Sequence, residues 1–192
     1  MARVENIVPF ILKWETGTTG IGLTNEQLFE KAKLKGFAND PDDLGGATMC
    51  GVTLATFTEY CHRKGYPRPT IVRLKAIKYK EWLEILKTMF WDKWKADQIN
   101  NESIALILVD WVWGSGKYGI TIPQKTIGVT ADGIVGPKTI AAVNAKDPKQ
   151  LFDLIRKERL AYIERICRSR PTNLKYKRGW LNRLNDIKFK GV

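Results

Sequence analysis

The sequence predicts a mostly α-helical fold, with one small β-hairpin near residues 45–53. Apolar residues recur at three- and four-residue spacing along most of the chain, as they do on the buried face of a helix. No long stretch alternates between apolar and polar residues, as a half-buried strand would. The chain has 192 residues, 44% of them hydrophobic and 27% charged. This is enough for one compact domain, or for one domain with a small attached lobe.

The first predicted helix covers Val4–Glu15, and Glu15 extends its apolar stripe. A carboxylate in the last turn of a helix opposes the helix dipole, so stability alone would favour lysine there. Apolar neighbours at that position disfavour the ionised form of the carboxyl group. Glu15 is therefore a candidate for proton-transfer chemistry.

The second predicted helix covers Thr24–Lys35. Thr24 and Gln27 have the spacing of a capping box, in which each side chain accepts from the other residue's backbone. Gly36 supplies the helix stop. The segment from Ser103 to Trp113 is apolar nearly all round, which predicts the central buried helix. The other predicted helices are Thr53–Lys64, Leu74–Trp94, Pro137–Asn144, Pro148–Arg168 and Gly179–Phe189.

The chain is basic, with 32 lysines and arginines against 20 acids and a net charge of +12. This balance favours a polyanionic partner, such as nucleic acid, an anionic membrane surface or a bacterial wall polymer. The basic residues are spread over several segments, so solvated surfaces explain them equally well. Since no nucleic-acid-binding motif is present, we expect no specific nucleic-acid partner. The longest apolar run, Ile104–Val109, is too short for membrane insertion.

Residue types restrict the chemistry that the chain can perform. Its single histidine, His62, argues against a multi-histidine metal site and against a Ser-His-Asp hydrolase. The three cysteines have no CxxC spacing, so free thiols are expected. Chemistry should come from carboxylates, hydroxyls and aromatic rings, with no metal and no cofactor. The first residues lack a signal-peptide pattern, which predicts a protein that is cytoplasmic as synthesised.

The stretch "GFANDPDDLGGATMCGVT", residues 36–53, allows three interpretations. A calcium loop is a poor fit, because Gly51 falls where a bidentate glutamate is needed. A surface turn fits the Asn-Asp-Pro sequence and the two glycines. The third interpretation is one wall of a glycosidase site, which needs a protonated acid and a second carboxylate or a held water. Glu15 would be the acid, Asp43 the ionised carboxylate, and Thr48 would hold the water. Spacing alone leaves these alternatives open.

"KWE", together with residues 36–53, resembles the signature of glycoside hydrolase family 108, phage-type N-acetylmuramidases with a lysozyme-like fold. The resemblance implies that Glu15 is the catalytic acid. The second half of the signature is matched by Asp43, Gly45, Gly46, Thr48, Gly51, Val52 and Thr53. One departure is that the predicted helix 24–35 separates Glu15 from Asp43, whereas the family holds the two parts close in sequence. This inserted helix should lie beside the cleft and either extend or cover it.

The resemblance continues downstream, in segments that contain Trp91 and Asp110. "IPQKTIGVTADGIVGPKTIAAV", with Gln124 and Asp132, is similar to peptidoglycan-binding segments. It implies a lysozyme-like catalytic region at 1–95 and a helical peptidoglycan-binding region at 96–192 packed onto it. The residues themselves also allow a core position for Trp91 and a structural hydrogen bond for Asp110. The substrate-binding residues implied are Gly45, Gly46, Trp91, Asp110, Gln124 and Asp132.

The resemblance thus implies a monomeric muramidase that cuts the β-1,4 bond between N-acetylmuramic acid and N-acetylglucosamine in peptidoglycan glycan strands. Such a protein would act on the bacterial wall as an endolysin, after release or non-classical export. The alternative is a non-catalytic peptidoglycan-binding or secretion-associated protein of the same fold, whose inserted helix blocks the cleft.

Overall fold

A computed structural model of the chain describes residues 1–39 and 46–191, which are mostly α-helical. The predicted fold class is therefore confirmed. The chain packs as two compact units, one of Val4–Met89 and the other of Met1–Arg3 with Phe90–Val192. The boundary between them falls inside a π-helical segment, Lys87–Trp91. Within the described ranges, no helix has both the length and the apolar character that a membrane span requires.

The first unit contains five helices and a small sheet among its described residues. Its elements are α1 (Val4–Thr16), α2 (Asn25–Lys33), β1 (Phe37–Ala38), β2 (Thr48–Met49), β3 (Val52–Thr53), α3 (Leu54–Arg63), α4 (Ile71–Lys75) and α5 (Tyr79–Leu86). The prediction of one continuous helix over Leu74–Trp94 is wrong. Lys78 is extended and starts α5 afresh, because its N–H donates to the Glu81 carboxylate at 3.3 Å.

The sheet is antiparallel in the order β1-β2-β3, and β2 and β3 form the predicted hairpin. Cys50 and Gly51 make its turn, with φ values of 48° and 80°. Two successive left-handed residues define a type I′ turn, whose twist suits a two-residue hairpin. The turn is fixed from both sides. The Trp82 indole N–H donates to the Cys50 carbonyl at 3.0 Å, and the Cys50 N–H donates to the Gly36 carbonyl at 2.8 Å.

The inserted helix α2 is part of the core of this unit. Its predicted capping box is present, since Thr24 and Gln27 exchange hydrogen bonds of 3.2 and 2.9 Å. Phe29 is fully buried, with ring centroids 5.5 Å from Trp82 and 5.8 Å from Tyr79. Removing α2 would therefore expose the aromatic core, so it is not a simple surface insertion.

Each unit contains a helix with an internal proline. In each, a side-chain N–H donates to the carbonyl that the proline leaves without its backbone donor. Proline lacks the N–H that would bond the carbonyl four residues earlier. In α1, which contains Pro9, the Asn25 side-chain amide donates to the Glu5 carbonyl at 2.8 Å. In the second unit, the indole N–H of Trp94 donates at 3.1 Å to the Gly119 carbonyl, four residues before Pro123.

Among the described residues of the second unit, all the regular elements are helical. Short 3₁₀ segments cover Asp92–Trp94, Ala96–Gln98 and Pro171–Asn173, and the helices are α6 (Glu102–Ser115), α7 (Tyr118–Ile127), α8 (Pro137–Asn144), α9 (Pro148–Ser169) and α10 (Leu174–Asp186). Helix α6 is buried along most of its length, as predicted. Helix α7 was not predicted. It packs against the backbone of α6 at Gly119, where a Cβ atom would lie 2.5 Å from the Val112 nitrogen.

Candidate active site

Glu15 lies in the last turn of α1, and the residues after it fix where the helix ends. The Thr16 hydroxyl donates to the Leu12 carbonyl at 2.8 Å. Gly17 takes a left-handed conformation, with φ of 67°, and its N–H donates to the Lys13 carbonyl at 2.8 Å. Glu15 itself is half-buried instead of enclosed, so its carboxylate is partly open to solvent.

The Glu15 side chain lies directly against the turn between β2 and β3. A Cβ atom built on Gly51 would be 2.6 Å from Cγ and Cδ of Glu15 and 2.7 Å from its Oε2. Only glycine allows this approach, and only glycine adopts a φ of 80° without strain. The structure therefore brings Glu15 to Gly51, and so joins the two separated parts of the sequence motif.

The pKa of Cys50, the other residue of the turn, depends on burial and on the charged side chains around it. It is fully buried, and burial raises the pKa of its thiol to about 12. Lys33 lowers that pKa, whereas Glu15 and Glu30 raise it. Because Lys33 and Glu30 belong to α2, the inserted helix contributes charges to the same neighbourhood as Glu15. The sequence reasoning missed both of these residues.

Thr48 and Gly46 are the other predicted site residues that the structure describes in this unit. Thr48 is half-buried on β2, paired with Ala38 on one side and Thr53 on the other. Its neighbour Met49 is buried, so the alternation of the strand puts Thr48 on the opposite face. Gly46 is left-handed, with φ of 60°. Asp43 and Gly45 lie outside the described residues, as do Asp40 and Asp42 of the predicted turn.

Trp82 positions the turn and was missed as a functional residue. Its ring is fully buried, and its N–H holds the Cys50 carbonyl at 3.0 Å. The two residues are 32 positions apart. Helical spacing is compatible with a core position for Trp82, but no sequence signal identifies a bond to a distant backbone carbonyl.

Trp91 and Asp110, both expected to contact substrate, have structural roles in the second unit. Trp91 is fully buried, and its indole N–H donates to Asp97 Oδ1 at 2.8 Å. It offers no exposed ring face to a sugar. Asp110 is also fully buried and forms ion pairs with Arg183 at 2.7 Å and Arg159 at 2.8 Å. Both side chains are thus enclosed by packing and charge pairing, and contact of either one with substrate stays a prediction.

Gln124 and Asp132 are in contact, and their hydrogen bonds fix the loop at residues 132–134. Gln124 is buried, and its Nε2 donates to Asp132 Oδ1 at 3.1 Å and to the Ile134 carbonyl at 3.0 Å. The Gly133 N–H donates back to Gln124 Oε1 at 2.9 Å. Hydrogen bonds from the Ile134 N–H and from Gln124 lower the pKa of Asp132. The shape of the "DGIV" loop is thus fixed from within α7.

Comparisons with known proteins identify the family and the fold of the chain. Residues 8–116 match a family model described as "Glycosyl hydrolase 108", and residues 118–185 match one described as "Predicted Peptidoglycan domain". A solved structure, that of SagA from Brucella abortus, is similar with a TM-score of 0.74 and 24% identity. The similarity covers 96% of this chain and 90% of that one, and it supports the lysozyme-like fold. No curated protein matches the chain.

Proposed function

Because the chain belongs to the glycosyl hydrolase 108 family, we propose that it is an N-acetylmuramidase that cleaves the β-1,4 bond between N-acetylmuramic acid and N-acetylglucosamine. Family membership makes it a glycoside hydrolase, and the second matched domain points to peptidoglycan as substrate. The observation that supports the finer assignment is the position of Glu15, half-buried against the turn at Gly51. The division into a catalytic region and a wall-binding region stays a prediction.

In this proposal Glu15 is the general acid. Its carboxyl proton passes to the glycosidic oxygen as the bond from that oxygen to C1 of the muramic acid breaks. The leaving N-acetylglucosamine then departs with a free 4-hydroxyl, and positive charge develops on the ring that remains. Asp43 stabilises that charge or activates the attacking water, and Thr48 positions the water. Water addition at C1 completes the hydrolysis, and the proton that it releases restores Glu15.

The partial burial of Glu15 suits a general acid. One side of the carboxylate rests on the backbone at Gly51, which limits its motion. The residue is half-buried, so part of it stays accessible to solvent. Fixed geometry of this kind is what makes proton transfer in the transition state efficient.

Replacing Glu15 with glutamine tests the proposal. Glu15→Gln keeps the size of the side chain but removes the proton donor, so lysis of purified sacculi should fall by about 10² to 10⁴-fold. Reducing sugar released from sacculi measures the activity, and thermal unfolding checks the fold. Glu59→Gln is the matched control, because Glu59 is an exposed acid on α3 paired with Arg63. It should lyse sacculi like the unmodified protein.

Near-normal lysis by Glu15→Gln would overturn the assignment of the acid. Binding to sacculi with no release of reducing sugar by the unmodified protein would instead support the non-catalytic alternative. The two results are separable, because one measures the variant and the other the unmodified chain.

A further inference from the structure

A groove of about 390 Å³ lies within the second compact unit, beside the loop at residues 132–134 that is hydrogen-bonded to Gln124. Its walls combine two kinds of side chain. Three lysines extend from the 3₁₀ region and from the start of α7, and three aliphatic side chains come from α7 and the loop. The lining residues are Lys93, Lys95, Lys117, Ile120, Ile134 and Val135, together with Asp92 and Gly133.

Three lysines and one aspartate line the groove, and Asp132 of the adjoining loop also interacts with Lys117, so the local balance is three positive charges against two negative ones. Lys95 and Lys117 are exposed, so their side chains are accessible to a ligand, whereas the exposed Lys93 places its ammonium group 5.8 Å from the centre of the Phe90 ring. Lys117 runs across the loop, since a Cβ atom on Gly133 would lie 2.6 Å from its Cε. Glycine at 133 thus makes room for the aliphatic stem of the lysine.

Lys95 is held in an unusual backbone conformation. Its φ is 46° and its ψ 44°, a left-handed conformation that costs a non-glycine residue roughly 1–2 kcal/mol. Glycine or asparagine would adopt it more easily. The side chain is exposed, so burial does not explain why lysine stands there. The left-handed conformation itself ends the 3₁₀ turn Asp92–Trp94, where the Lys95 N–H donates to the Asp92 carbonyl at 3.0 Å, so the feature that a ligand contact would explain is the choice of lysine over glycine.

The loop that forms the other wall is rigid. Three hydrogen bonds between Gln124 and the 132–134 segment fix its backbone, and Asp132 Oδ1 also accepts from the Ile134 N–H at 2.8 Å. Ile134 is nevertheless 72% exposed. A rigid loop that presents a large apolar side chain to solvent suits a preformed contact surface.

We propose that this groove binds the stem peptide of peptidoglycan, through its carboxylates and its alanine methyl groups. The proposal rests on the proposed function, in that it takes peptidoglycan as the substrate. Lysine ammonium groups recognise carboxylates, and the aliphatic walls suit methyl groups. The lining includes no aromatic ring, so neither a sugar ring nor a nucleic-acid base finds a face to stack on. A stem peptide supplies both charge and methyl groups within a short length.

The full-length chain titrated with a soluble tetrapeptide tests the proposal. The probe is L-alanyl-γ-D-glutamyl-meso-diaminopimelyl-D-alanine, and calorimetry gives its Kd. Replacing Lys95 and Lys117 together with glutamine should weaken binding by about tenfold or more. The matched control replaces Lys146 and Lys157 with glutamine. Both are exposed lysines of the same unit outside the groove, so the net charge changes equally. This control should bind the peptide normally.

Three outcomes of the peptide titrations would overturn the stem-peptide site. They are an unchanged Kd in the groove variant, equal weakening in both variants, and competition by the neutral sugar chitotetraose. Duplex DNA that binds where the peptide does not would overturn it in favour of a phosphate-binding surface. The titration requires no bond cleavage. Lysis by Glu15→Gln would therefore overturn the muramidase proposal, whereas the peptide site is decided by the titration alone.

Discussion

A Cβ atom on Gly51 would lie 2.6 Å from the carboxyl carbon of Glu15. Non-bonded carbon atoms of a folded protein do not approach so closely. The end of α1 and the turn between β2 and β3 therefore fit together only with glycine at this position. The same glycine has a φ of 80°, which the type I′ turn requires. One residue thus serves both the hairpin and the placement of the proposed acid.

We therefore expect Gly51→Ala to damage activity more than stability. The left-handed backbone should cost roughly 1–2 kcal/mol of unfolding free energy. Displacing Glu15 by about 1 Å should cost about 10²-fold in kcat/KM on sacculi. The control is Gly65→Ala, which has a similar φ of 69° with no atom of the described structure near the added Cβ. It should lose comparable stability and keep its activity. Equal activity in the two variants would contradict the argument.

Local signals explain the parts of the fold that could be predicted. Thr24 and Gln27 lie three residues apart, and their capping box forms as the sequence indicates. The hairpin expected near residues 45–53 is formed by β2 and β3, with Cys50 and Gly51 at its turn. The resemblance then named Glu15 and Gly51 as parts of one motif, and the structure brings them into contact. In each case the signal and its partner are close in sequence or belong to one pattern.

Long-range partners explain the parts that could not be predicted. Helix α7 contains Gly119 and Pro123, which indicate a helix break in sequence. Trp94, 25 residues before Gly119, supplies the hydrogen bond that the proline removes. Asp110 pairs with Arg183, 73 residues later. A polar residue in an apolar run shows that it needs a partner, but its spacing does not show which one.

Asn25 should stabilise α1 through the Glu5 carbonyl, because Pro9 cannot make that bond. We expect Asn25→Ala to lower the free energy of unfolding by about 1 kcal/mol, measured in urea. A double-mutant cycle with Pro9→Ala isolates the effect, since alanine restores the backbone N–H and makes the Asn25 amide less necessary. Asn25 also bonds Tyr79, and that part of its contribution should remain. If Pro9→Ala left the cost of Asn25→Ala unchanged, the compensation would not exist.

Asp110 should make the free energy of unfolding depend on pH in the acid range. Burial alone would raise the pKa of this carboxyl group, but Arg183 and Arg159 hold it below its ordinary value. Since the folded state then binds the proton less readily than the unfolded state, the ion pairs contribute fully above about pH 4 and are lost as the pH falls through the folded pKa. Asp110→Asn should cost about 3–5 kcal/mol at pH 7, and urea unfolding should show this difference shrinking as the pH falls toward 3. Asp153→Asn, which removes an exposed acid paired with Lys149, should have little effect at either pH. A deficit in Asp110→Asn that stays constant from pH 7 to 3 would mean that the carboxylate charge does not stabilise the helices that it joins.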